Sequence, residues 1–166
     1  MSNKKEEIGE LAIALSFESQ SADKQIAALN KSINRTEKEF KSAAKGVENF
    51  ENTYQGLDAK IKKNTKQLED NNKKLEIQQK AHKEAAQQLE KSKEKLDKMS
   101  DSVDKNSKEW KDQVQLVQKN ADKYLKLSTD IETTKGNISR LSQELTDSKT
   151  KFEQLGNKTQ TLDEKL

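Results

Sequence analysis

Ile61-Lys62-Lys63-Asn64-Thr65-Lys66-Gln67-Leu68-Glu69-Asp70-Asn71-Asn72-Lys73-Lys74-Leu75 is the stretch that decides the fold. Its large apolar side chains, Ile61, Leu68 and Leu75, stand seven residues apart. The same step carried backwards gives Tyr54, Val47, Phe40, Ile33 and Ile26. Carried forwards it gives His82, Leu89, Leu96, Val103, Trp110, Val117, Tyr124, Ile131, Ile138, Leu145, Phe152, Thr159 and Leu166. Of these 21 positions 19 are apolar or aromatic, where a hydrophobic content of 30% would give about six by chance. A strict seven-residue repeat slips against the 3.6-residue turn of a straight helix, so holding this stripe on one side requires a left-handed supercoil. The spacing therefore predicts an all-α fold: a long continuous helix over 23–166, in a parallel homo-oligomeric coiled coil. A homotrimer is expected ahead of a dimer or hexamer.

Composition supports the helix. The 166 residues include no proline, where ordinary usage of about 5% would place roughly eight. Proline removes a backbone donor and clashes with the preceding turn, so its absence suits an uninterrupted helix. One narrow apolar stripe cannot offset the backbone entropy of so many ordered residues, about 1–2 kcal/mol each, unless something covers it. Covering by identical copies is the expectation, because the positions flanking the seam hold few complementary charges that would select an unlike partner. The net charge is only +3, from 32 basic and 29 acidic residues interspersed along the chain. That leaves no dedicated basic face, and stable nucleic-acid binding is not expected. No stretch approaches the roughly 20 apolar residues of a membrane span, and the N-terminus lacks the pattern of a signal peptide.

Two places depart from the comb. Residues 1–22 form a separate segment in which Leu11, Ile13, Leu15 and Phe17 alternate with smaller residues, the period of a β-strand. Such a strand needs another chain's sheet edge, which makes it a candidate docking segment; a helical start is the alternative, since Ala and Leu also suit helices. Further on, Gly46 and Gly56 bracket Asn49, Asn52 and Thr53, so residues 45–56 are the expected site of a bend. The glycines beyond residue 9 all fall off the stripe, and each is expected to weaken the helix by up to about 1 kcal/mol relative to alanine.

Three residues after each comb position runs a second line, apolar at both ends and polar in the middle, where it holds Asn64, Asn71, Gln78, Asn106, Gln113 and Asn120. Buried amides need partners, and such a residue in a seam fixes register and oligomer state at a cost in stability. The alternative is that a polar middle keeps a long helix soluble and loosely held. His82, the single histidine, falls on the stripe itself. Copies of it facing one another would form a hydrated polar layer, and a metal site is the weaker alternative because no carboxylate or cysteine stands beside it. Tyr54, Trp110 and Tyr124 read as bulky packing. No phosphate loop, zinc spacing or nucleophile with a base is present, so neither enzymatic activity nor a cofactor is expected.

The run from Ile8 to about Lys66 resembles the N-terminal region of tail tape measure proteins from long-tailed phages of Gram-positive bacteria. The resemblance rests on the alternating Leu11–Phe17 segment and the polar break after it. It continues in a helix carrying Ile26, Leu29, Asn30, Ile33, Glu39-Phe40-Lys41-Ser42-Ala43, Phe50 and Leu57. It implies a virion structural protein of the tail-tube lumen, assembled in the host cytoplasm. Its partners would be its own copies, the tail-tube protein and the tail-tip or baseplate components. It implies a molecular ruler: a helical rod around which the tube polymerises, and which leaves before DNA ejection. At 1.5 Å per residue, Ile26 to Leu166 as one helix would span roughly 210 Å. Family members are several times longer, so the chain is expected to be part of a longer protein. Ile61-Lys62-Lys63-Asn64-Thr65 also resembles the repeat of trimeric adhesin stalks, once. The alternative function is accordingly another coiled-coil spacer, such as a trimeric fibre stalk or a cytoplasmic scaffold.

Overall fold

The computed structural model describes the backbone of residues 3–163 and the side chains of residues 21–158. Three helices account for nearly all of it: α1 (Asn3–Ala44), α2 (Tyr54–Met99) and α3 (Lys108–Asp163), with a single 3-10 turn at Phe50–Asn52. The all-α class is as the comb predicts. The continuous helix over 23–166 is corrected: the chain leaves the helix at 45–53, within the expected bend at 45–56, and again at 100–107, which the comb did not mark.

The first break is written in residues that tolerate a left-handed backbone. Gly46 has φ 80° and Asn49 φ 53°, conformations that cost most side chains energy but suit Gly and Asn. Between them the Val47 N–H donates to the Ala44 carbonyl at 3.2 Å. Phe50 then turns inward and packs on Phe40, ring centroids 5.8 Å apart. Thr53 begins α2: its hydroxyl accepts from the Gly56 N–H at 2.9 Å, satisfying one of the unpaired donors of the first turn. Gly56 lies so close to the Phe50 carbonyl that an added Cβ would sit 1.7 Å from that oxygen. Gly56 is therefore a packing requirement, not merely a weak helix residue as its position off the stripe suggested.

The second break uses no left-handed residue; among the described residues, positive φ occurs only at Gly46 and Asn49. Here short polar side chains compete with the helix for backbone partners. The Ser100 hydroxyl donates to the Asp97 carbonyl at 2.6 Å, and the Asn106 N–H donates to Asp104 Oδ1 at 2.9 Å. Ser107 caps α3 by accepting from the Trp110 N–H at 3.2 Å.

The chain divides into two units. One joins residues 24–74 with 134–166, so that parts of all three helices form it. Within it α1 and α2 run antiparallel: Gln67 reaches the Ile33 carbonyl at 3.2 Å, and Lys74 reaches Asn30 at 2.9 Å. α2 and α3 also run antiparallel there, with Tyr54 on Phe152 at 4.1 Å between ring centroids. The core of this unit includes Phe40, Phe50, Leu57 and Leu141.

The other unit joins residues 1–23 with 75–133. In it α3 returns along α2 after the 100–107 break, and Ala85, Met99 and Ile131 are buried. Residues 11–17 lie within α1, so in the isolated chain their backbone is helical rather than extended. The side chains of Leu11, Ile13, Leu15 and Phe17 lie outside the described residues.

The glycines give a test of opposite signs. Gly136→Ala and Gly156→Ala, where nothing stands within 4 Å of the added Cβ, are expected to raise stability by up to about 1 kcal/mol each. Gly56→Ala is expected to lower it by about 1–3 kcal/mol through overpacking. Urea denaturation of the three variants checks this, and a stabilised Gly56→Ala would contradict the packing.

Candidate functional site: the heptad seam

Both heptad lines lie at helix–helix contacts within the chain, and they are not equally covered. On the comb from Ile26 to Phe152, Phe40 and Ile131 are buried, Val47 and Tyr54 are exposed, and the others are half-buried. The second line is the more deeply covered: Asn64, Asn71, Gln78, Ala85, Ser92, Gln113, Thr134, Leu141 and Ser148 are all buried. The polar residues foreseen as seam layers thus form the innermost line, except Asn120, which is half-buried, and Asn106, which is exposed in the second break.

Within the chain several of the amides find partners on neighbouring helices. In the unit of residues 75–133, Gln113 Nε2 donates to the Ser92 carbonyl at 2.8 Å. Asn120 Nδ2 donates to Ser92 Oγ at 3.2 Å and to the Gln88 carbonyl at 3.4 Å. Short side chains such as Ser92 and Ala85 leave the helix backbones accessible, which lets a long amide cross the interface. In the other unit Asn64 Nδ2 donates to Glu144 Oε2 at 3.4 Å, while Asn71 Nδ2 donates to the Gln67 carbonyl of its own helix at 2.8 Å. The satisfaction is incomplete. Asn64 Oδ1, Gln78 Oε1 and Thr134 Oγ1 are buried without a hydrogen-bond partner, each at a cost of about 1–3 kcal/mol.

His82 stacks on Tyr124, centroids 4.3 Å apart, with its Nε2 2.8 Å from Ser128 Oγ. The Ser128 hydroxyl itself donates to the Tyr124 carbonyl at 3.0 Å. Its one proton is so committed, and His82 Nε2 must therefore carry the hydrogen and donate. The histidine is thus an aromatic packing element tied to α3. Among the described residues, no group of three or more His, Cys, Asp or Glu is placed to hold a metal, and no helix is long and apolar enough to cross a membrane.

Charged side chains brace the contact between α1 and α2. Lys63, with a side chain only 12% exposed, sits 3.1 Å from Glu37 and 4.6 Å from the centre of the Phe40 ring. Burial pushes the Glu37 carboxyl up, but the hydrogen bond and charge of Lys63, with Gln67 and Lys41, bring it below the ordinary range. Lys60 holds Glu51 low through a 2.7 Å hydrogen bond and its charge. Asp70, its side chain 2% exposed, accepts from Lys66 at 2.9 Å. Its burial raises the pKa, and the Ser32 hydroxyl together with Lys66 more than reverses this. These groups went unremarked in the sequence because nothing in their spacing sets them apart from the many exposed charges.

Two outcomes follow from the seam chemistry. Gln78→Leu removes an unpartnered buried oxygen at similar volume and is expected to stabilise the chain by about 1–2 kcal/mol in urea; destabilisation would contradict the unpaired state. The carboxyls of Glu37, Glu51 and Asp70 are all lowered on folding. Their contribution is therefore full above the unfolded carboxylate range near pH 4, and is lost as pH falls through the lower folded values. Tm should fall between pH 6 and pH 3. Asp70→Asn should flatten that fall and cost about 1–3 kcal/mol at pH 7; an unaltered pH slope would count against the Lys66–Asp70 pair.

Comparison with known protein families, with curated proteins and with solved structures finds no match to this chain.

Proposed function

We propose that this chain is a structural coiled-coil protein of the tail tape measure kind. In the assembled tail its copies straighten and share one heptad seam. The observation that carries the reading is that the seven-residue register does not reset at either break. Phe40, Val47 and Tyr54 keep it across the first, and Leu96, Val103 and Trp110 across the second. A loop that only has to turn places no such demand on its residues. Val47 is 48% exposed in the closed chain, where its apolar character contributes little. A straight multi-chain coil would cover it. A parallel homotrimer is the proposed assembled form. Its support is the line of seam amides, including Asn64 and Asn71, a residue type that fixes oligomer state in a multi-chain coil.

The ruler arithmetic changes with the fold. The closed chain contains no single helix from Ile26 to Leu166, so length is set only once the breaks have straightened. The partners proposed are the tail-tube protein and the tail-tip or baseplate components, and the docking segment Leu11–Phe17 is the part proposed to engage them, as a helix or an added strand. Chemistry plays no part in this reading: a ruler needs neither a catalytic group nor a cofactor. Closure of the seam within one chain favours a second reading, a self-contained helical spacer or scaffold.

Deletion of whole heptads from 68–95 in the particle that carries the protein separates the two. The ruler predicts assembled tails shorter by roughly 10 Å per heptad removed. Tails of unchanged length would contradict it and leave the scaffold.

A further inference from the structure

The two breaks in the helix differ in kind, and the difference points to a partner. The 45–53 reversal is locked by two left-handed residues and by Gly56 under the Phe50 carbonyl. The 100–107 break has none of these. It contains no glycine or proline, and no residue with positive φ. The Val103 N–H already bonds the Met99 carbonyl at 2.9 Å, the four-residue step of an α-helix. Nothing in its backbone forbids α2 and α3 from joining as one helix, and the comb passes through it in phase at Val103. The seam on either side is also close to symmetric about this point. The pairs Ser92–Gln113, His82–Tyr124, Gln88–Asn120, His82–Ser128 and Ser92–Asn120 have residue numbers that add to between 205 and 212, so α2 folds onto α3 about a point within residues 102–106.

We propose that the free protein exchanges α3 with a second copy of itself through the 100–107 hinge. In the exchanged dimer each hinge is straight and helical, and the contacts that residues 75–99 make with 108–133 inside one chain are made between two antiparallel chains. Every seam contact of that unit is kept, the condition under which exchange of an identical element is favourable at high concentration. One new contact appears, Val103 against its own copy on the two-fold axis. The partner's chemistry is thereby fixed: the same stripe, read in the opposite direction. This goes beyond the tape measure reading and concerns the unassembled protein. It rests on that reading only in using the same seam.

The chain has no cysteine, so introduced thiols report directly. Val103→Cys is expected to form a covalent dimer on mild oxidation of the full chain, whereas Leu89→Cys alone, whose counterpart across the seam is Val117, is not. The double variant Leu89→Cys/Val117→Cys should give both a cross-linked monomer and a cross-linked dimer, the dimer rising with concentration. Ser102→Ala/Asp104→Ala/Asn106→Ala replaces weak helix formers with the best one and should raise the dimer fraction in sedimentation at least tenfold. A monomer at every concentration, with Val103→Cys never cross-linking, would overturn the exchange. Homotypic cross-linking of both Leu89→Cys and Val103→Cys would also overturn it, and would instead support the parallel rod of the proposed function.

Discussion

An apolar stripe of period seven has to be covered, and everything else in this molecule follows from what covers it. The chain does so itself. α2 lies antiparallel to α1 and to α3, and the side chains of the two heptad lines meet within the same chain. Burying large apolar side chains is worth roughly 1.5–3 kcal/mol each, a strong incentive for a chain without partners to fold back. The 45–53 turn makes the first return possible, and Phe50 closing on Phe40 seals it.

What distinguishes this seam is its polar interior. Its innermost line carries amides and hydroxyls, some bonded across the interface and some buried with an oxygen unpaired. Such a core specifies register more than it stabilises, because a helix slipped by one turn would strand Gln113 and Asn120 away from the Ser92 and Gln88 carbonyls. It also keeps the closed state from being overwhelmingly favoured. A seam held by amides and half-buried leucines can be rebuilt between chains at modest cost, as the proposed assembly requires.

The helices and their apolar stripe were legible in the sequence, because period seven together with the absence of proline admits few other readings. The first break showed in Gly46 and Gly56 with Asn49, Asn52 and Thr53 between them, while the left-handed turn at Gly46 and Asn49 emerged only in the fold. The second was hidden by Val103, which holds the comb in phase through a loop. The signal that marks it is the cluster Ser100-Asp101-Ser102, Asp104 and Asn106-Ser107, ending in a helix cap. Chain direction was not legible at all. A heptad specifies an apolar face and not the polarity of whatever covers it, so parallel copies and an antiparallel return answer the same pattern. Nor did the sequence say that the polar line would lie deeper than the comb. That depends on how closely the backbones approach at short residues such as Ala85 and Ser92. The helical backbone at 11–17 follows the alanine and leucine content there, which competes with the alternation that suggested a strand.

The most direct measurement is the distance between spin labels at the exposed sites Lys62 and Thr146 in dilute protein. These flank the seam between the Tyr54–Phe152 and Asn64–Glu144 contacts. A seam closed within one chain predicts a separation of about 20–30 Å, set by neighbouring helix axes 8–10 Å apart and the label arms. One unbroken helix would hold the labels roughly 126 Å apart, and a distance near that value in the dilute protein would contradict the account.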